Sequence, residues 1–105
     1  MKPSLGLGLY GVSKSALIML TQSQASEWGK YGIRSNAICP GLIKTKFSKA
    51  LWSNEHIMKQ VESHLPLQRA ADPTEIAGLA VYLASQASSY TTGAVLNADG
   101  GHMLT

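Results

Sequence analysis

Ile33-Arg34-Ser35-Asn36-Ala37-Ile38-Cys39 is a short stretch halted by Pro40-Gly41, and its place in the chain decides the fold. Its length and its breakers read as a strand, although apolar and polar residues alternate poorly along it. Upstream, about Leu9 to Trp28 reads as a helix, with Ala16, Leu17, Leu20 and Gln24 on one face. Val12, Ile18 and Met19 add apolar side chains elsewhere around it, and a helix apolar on most sides is normally buried on most sides. Gly29 and Gly32 supply its stop.

Downstream, Ser53 or Asn54 can cap a helix from about Glu55 to Leu65, with Pro66 ending it. Asp72-Pro73-Thr74-Glu75 carries the clearest start signal in the chain. It offers an N-cap acceptor, a proline at the first helical position and a glutamate three residues after the cap. Ile76, Leu79, Ala80, Leu83 and Ala84 then supply its buried stripe, up to about Ser85. Thr92-Gly93 turns into a last strand, Ala94 to Ala98, ended by Asp99-Gly100-Gly101.

The order helix, strand, helix, helix, strand predicts an α/β fold with parallel strands joined by a right-handed crossover. Two strands alone do not make a self-sufficient sheet, and parallel sheets need helices on both faces. Either a partner supplies the missing layers, or the chain is the C-terminal part of a larger α/β domain. The second is the expectation.

Composition narrows the function. The 105 residues hold one domain at most. With 45% hydrophobic and 14% charged residues they are not a disordered tail. The longest apolar run, Ala16 to Leu20, is far short of the roughly 20 residues of a membrane span. Nothing in Met1-Lys2-Pro3-Ser4 resembles a signal peptide, and the lone Cys39 suits a reducing compartment, so a cytoplasmic protein is expected. The net charge of +3 comes without a block of like charges or a clustered basic face, which argues against nucleic acid as a partner. Cys39 with His56, His64 and His102 makes no metal-ligand spacing, so no metal is expected.

Tyr10 and Lys14 stand four residues apart in Tyr10-Gly11-Val12-Ser13-Lys14, which puts both on one helical face. An ammonium about 4 Å from a phenol favours the phenolate by roughly 4 kcal/mol at an effective dielectric near 20. Such a phenol can exchange a proton near neutral pH, as carbonyl–alcohol interconversion requires. By itself the pair is weak evidence, since chance yields the spacing about a quarter of the time in this composition. Its plain alternative is a solvated aromatic–lysine pair.

Context adds to it. The Tyr10–Lys14 segment, the helix leading into Ile33-Arg34-Ser35-Asn36-Ala37-Ile38, the Pro40-Gly41-x-x-x-Thr45 loop, Asp72-Pro73-Thr74-Glu75-Ile76-Ala77 and the ending Thr92 to Gly101 resemble the classical short-chain dehydrogenase/reductase family. The match runs from Gly8 to about His102. It implies the C-terminal part of a Rossmann-like, doubly wound parallel sheet, a single partial domain over 1–105 with the N-terminal βαβ half absent. The implied activity is NAD(P)-dependent interconversion of a carbonyl and a secondary alcohol.

In that resemblance Tyr10 is the general acid/base, and Lys14 lowers its pKa and bonds the nicotinamide ribose. Pro40, Gly41, Ile43 and Thr45 border the cofactor, and Leu42, Phe47 and Trp52 belong to a substrate lid. Plain alternatives stand beside these: a strand stop for Pro40-Gly41, packing for Phe47 and Trp52. The lid sequence looks like the NADPH-dependent carbonyl/retinal reductase branch, with acyl-carrier-protein reductases next to it, so NADPH is favoured over NAD. The family's glycine-rich phosphate turn, ribose selector and catalytic serine precede the tyrosine segment and have no counterpart here. Ser4 and Ser13 stand at the wrong distance from Tyr10 for the last of these. The chain alone is therefore expected to bind cofactor poorly and to turn over little.

Gly6-Leu7-Gly8-Leu9-Tyr10-Gly11 spells a dinucleotide fingerprint, but no strand can precede it, and it reads as the loop before the helix. Lys44, Lys46 and Lys49 form a basic patch that either attracts cofactor phosphate or is simply solvated. The first helix and the last helix–strand resemble the family's subunit interfaces, so a homo-oligomer is expected. Self-association without catalysis is the rival reading.

Overall fold

The computed structural model describes residues 8–46 and 49–102. Helix α1 spans Gly8–Trp28 and runs into a 3₁₀ turn, Gly29–Tyr31. Gly32 closes that turn at φ 76°, where a side chain would be strained, and its N–H bonds to the Gly29 carbonyl. Strand β1 is Ala37–Pro40. Helices α2 (Lys49–Trp52), α3 (Glu55–Ser63) and α4 (Pro73–Ala84) follow, then a 3₁₀ turn, Gln86–Ser88, and strand β2, Val95–Ala98.

The two strands pair in parallel, Ala37 opposite Val95 and Pro40 opposite Ala98. The Ala37 N–H donates to the Ala94 carbonyl and the Gly41 N–H to that of Ala98. The predicted α/β order with a parallel crossover is what the chain forms. Ile43 adds an isolated parallel bridge to Ala71.

Several boundaries differ from the sequence reading, and Pro40, taken there as the stop, is itself the last residue of β1. Ile33 to Asn36 are not strand, because their polar groups are used sideways. The Ser35 N–H donates to Thr92 Oγ1, and the Gly93 N–H returns to the Ser35 carbonyl. Asn36 Nδ2 donates to the Thr91 carbonyl while its Oδ1 accepts from the Ala94 N–H. The Arg34 guanidinium reaches Ser88 Oγ at 2.8 Å, and Ser88 is almost wholly buried. Helix α3 stops two residues early, where His64 and Leu65 tighten into bonds three residues back. The turn α2 was not foreseen. Asn54, of the two candidate caps, caps α3: its Oδ1 accepts from the Ile57 N–H at 3.1 Å. At α4 the Glu75 carboxylate accepts the Asp72 N–H at 2.8 Å, as the spacing predicts. The buried stripe expected of α4 is not buried: Ile76, Leu79 and Leu83 are half-buried and Ala80 and Ala84 exposed.

Helix α1 departs most from expectation. Its less exposed positions are Gly11, Lys14, Ile18, Thr21, Gln24 and Ala25, a stripe at helical spacing, and only Thr21 and Ala25 are buried. That stripe is rotated one residue from the predicted Leu17–Leu20–Gln24 face. The reason is local. Gln24 Oε1 accepts from Ser35 Oγ at 3.0 Å, and the Gly93 backbone lies against the Ala25 methyl. The large apolar side chains Leu9, Val12, Leu17, Met19 and Leu20 stay exposed, Leu9 at 89% and Met19 at 62%. Among the described residues no layer covers them. A radius of gyration of 15.7 Å, against about 13 Å for a closed domain of this length, says the same.

Candidate functional site

Positions 10 and 14 lie one turn apart in the first two turns of the unbroken α1. Lys14 is half-buried on the stripe that faces the protein body, ahead of Ile18, Thr21 and Ala25. The glycine fingerprint does not form a phosphate turn where it is described, since Gly8 and Gly11 are already helical. Gly6 lies outside the described residues, and so does Phe47.

The Pro40–Thr45 segment leaves the carboxyl end of β1 and is stitched on both sides. Gly41 passes the turn after β2, and its N–H is held by Ala98. The Leu42 carbonyl accepts from the Ala71 N–H at 3.0 Å, and the Lys44 N–H donates to the Ala71 carbonyl at 2.9 Å. Gly41, Leu42 and Ile43 are half-buried, while Pro40, Lys44, Thr45 and Lys46 are exposed. The half-buried Trp52 donates its indole Nε1–H to the Thr45 carbonyl at 2.9 Å. The sequence-derived residues thus separate into two groups, one on α1 and one on this loop, and Trp52 joins the second.

A cavity of about 490 Å³ opens at the carboxyl end of β2. Leu42 lines it with Leu65, Leu67, Ile76, Asn97 and Asp99, while Lys14 and Thr45 do not. The sequence reading missed this cavity, since it takes Asp99-Gly100-Gly101 as a strand stop and as part of the family-like ending, not as a cavity wall. At its rim Arg69 and Glu75 form a two-pronged ion pair, Nη2 to Oε1 at 2.6 Å and Nη1 to Oε2 at 2.9 Å. Hydrogen bonds from the Arg69 side chain, then from the Asp72 N–H, hold the Glu75 carboxyl down to about 2. Opposite charges six residues apart across Asp72-Pro73 were the available signal.

Among the described residues no group of His, Cys, Asp or Glu is placed to hold a metal, and no helix is long and apolar enough to cross a membrane. The two groups carry cationic and hydroxyl donors, the kind of chemistry that a dinucleotide takes. Lys14 offers an ammonium, Thr45 an exposed hydroxyl, and Lys44 and Lys46 exposed cations. At Gly41 the backbone leaves no room for a side chain.

A family model described as enoyl-(acyl carrier protein) reductase matches residues 3–103. The chain is 43% identical over 99 residues to dehydrogenase/reductase SDR family member 4 of Oryctolagus cuniculus, covering 94% of this chain and 38% of that protein. It resembles a solved 4-hydroxyisoleucine dehydrogenase complexed with NADH at TM-score 0.88 and 36% identity, covering 91% of this chain and 40% of that one. A gluconate 5-dehydrogenase from Burkholderia cenocepacia in complex with NADP and tartrate superposes at TM-score 0.86 and 30% identity, over 100% of this chain and 40% of that one. The chain therefore spans about two fifths of the proteins it matches. Motif, parallel sheet and likeness agree, and the chain belongs to the short-chain dehydrogenase/reductase family.

Proposed function

We propose that this chain is the tyrosine-bearing, C-terminal part of an NAD(P)-dependent oxidoreductase that interconverts a carbonyl and a secondary alcohol. The observation that carries the reading is the pairing of positions 10 and 14 on one continuous helix, with Lys14 half-buried on its inward stripe. The last two turns of α1 touch the segments that lead into both strands. Lys14 stands eleven residues before Ala25, about 16 Å back along the axis, and ligands of α/β sheets bind at the carboxyl ends of the strands.

A nicotinamide cofactor bound there would supply the hydride for the carbonyl carbon. Tyr10 donates its phenolic proton to the carbonyl oxygen as charge develops on it, and takes the proton back in alcohol oxidation. The Lys14 ammonium favours the phenolate and bonds the ribose. Pro40, Gly41, Ile43 and Thr45 border the nicotinamide and pyrophosphate, with Leu42, Phe47 and Trp52 beside the substrate. The lid sequence favours NADPH slightly over NADH, while the neighbours are solved with either cofactor. On this reading residues 1–105 are one partial domain, and the chain by itself binds NADPH weakly and turns over little.

The test is a chimera that joins this chain to the complementary N-terminal portion of a solved neighbour. Ketone reduction is expected to appear and to fall by 10²-fold or more with Tyr10→Phe. Undiminished turnover by Y10F overturns the catalytic assignment, and micromolar NADPH binding by the 105-residue chain overturns its incompleteness. A second reading, self-association without catalysis, is favoured by the exposed Leu9, Val12, Leu17, Met19 and Leu20 on α1.

A further inference from the structure

We propose that Trp52 is a positioning residue, its indole fixing the Thr45 peptide that the cofactor reading places beside the nicotinamide. The inference rests on that reading and assigns Trp52 a task other than contact with substrate. The Nε1–H donates to the Thr45 carbonyl at 2.9 Å, reaching back over seven residues. The turn it springs from is tied at both ends: the Lys49 N–H bonds to the Lys46 carbonyl, and both the N–H and the Oγ of Ser53 bond to the carbonyl of Lys49. Immediately after it, Asn54 caps α3, whose Met58 is buried, so the indole projects from an anchored base.

On its other side Thr45 follows Lys44, whose N–H is already held by Ala71. The Lys44 N–H and the Thr45 carbonyl are thus pinned from opposite directions, by Ala71 and by Trp52. Between them runs the Cα that carries the Thr45 hydroxyl. The indole nitrogen has no acceptor role, so without the Thr45 carbonyl it must turn to another oxygen or to water. The indole therefore holds the Thr45 peptide in place before any ligand arrives, and a phenyl ring of similar shape cannot.

Nuclear magnetic resonance on the 105-residue chain tests this in three measurements. In the wild type the Trp52 indole proton exchanges with water at least fivefold more slowly than that of Trp28, which is 41% exposed. Equal exchange overturns the proposal, and this reading needs no variant. In Trp52→Phe the Thr45 carbonyl carbon shifts upfield while the Ile57 amide, held by Asn54, stays in place. A Thr45 carbonyl that does not move overturns the proposal. On titration with NADPH, the Ile43 and Thr45 amides of W52F need about fivefold more cofactor for half their shift. Equal titration curves overturn the positioning role of the Thr45 peptide. In the chimera with a neighbour's N-terminal portion, NADPH that moves neither amide of the wild-type sequence, beside a Thr45 carbonyl that does shift in W52F, overturns the cofactor reading and supports the tie between Trp52 and Thr45.

Discussion

Gly41 passes Asp99 so closely that a methyl group on Gly41 would lie 2.7 Å from the Asp99 Cα. The obstacle is backbone, so no side chain can swing aside to relieve it. Gly41→Ala must push apart the two segments that leave the carboxyl ends of β1 and β2. A loss of about 2 kcal/mol is expected in urea unfolding, in the range of overpacking costs. A variant within about 0.5 kcal/mol of wild type would show that the two segments separate freely.

Asn36 acts as an extension of the sheet by side chain, accepting from the Ala94 N–H and donating to the Thr91 carbonyl, both at 3.0 Å. Asn36→Ala leaves both backbone groups without their partner and is expected to cost about 1–3 kcal/mol. The Ala94 amide should lose protection from hydrogen exchange more than the Val95–Ala98 amides do. Uniform loss along β2 would speak against this local role.

Glu75 gives the pH dependence. Its carboxyl is held down at about 2 in the folded chain, first by the Arg69 hydrogen bonds. A carboxyl depressed by folding stabilises the fold above its unfolded value, roughly 4.3, and the gain disappears as pH falls through the folded one. Wild type should therefore exceed Glu75→Gln in urea midpoint at pH 7, and the gap should close between about pH 4.5 and pH 2. The pair is well exposed, with side chains 54% and 40% accessible, so added salt should also narrow the gap. A gap constant down to pH 2 would contradict the assignment.

The exposed apolar side of α1 should drive association. Light scattering on the wild-type chain is expected to show a mass above the monomer that grows with concentration. A Leu17→Lys, Leu20→Glu double variant should shift it toward the monomer, because both positions are more than half exposed and neither is on the inward stripe. A wild type that stays monomeric at high concentration would exclude this face as a contact between copies.

The elements with strong local chemistry were legible. Asp72-Pro73-Thr74-Glu75 starts α4 through bonds made within four residues, and Asn54 caps α3 in the same way. Tyr10 and Lys14 could be placed on one turn because helical spacing depends on nothing distant. What escaped the sequence depends on partners far along the chain. Ile33–Asn36 looks like strand until Thr91, Thr92 and Ala94 claim its polar groups. The inward stripe of α1 is chosen by Ser35 and Gly93 rather than by its leucines. The cavity beside Asp99 arises where four separate segments meet, which no local pattern announces. For Trp52 the residue was singled out, but its bond to Thr45 was not.

Pro40 has a further effect. Ala37 and Gly41 turn their N–H groups toward β2, and along a parallel strand the direction alternates, so Ile38 and Pro40 face the other flank. Proline brings no N–H to that flank. The strand therefore gives up nothing in its pairing with β2, while its outer side is left with a single donor, at Ile38. A bare row of alternating donors and acceptors is a template for adding foreign strands and for fibril growth. Among the described residues no strand pairs with that flank, and one imino acid blunts its template.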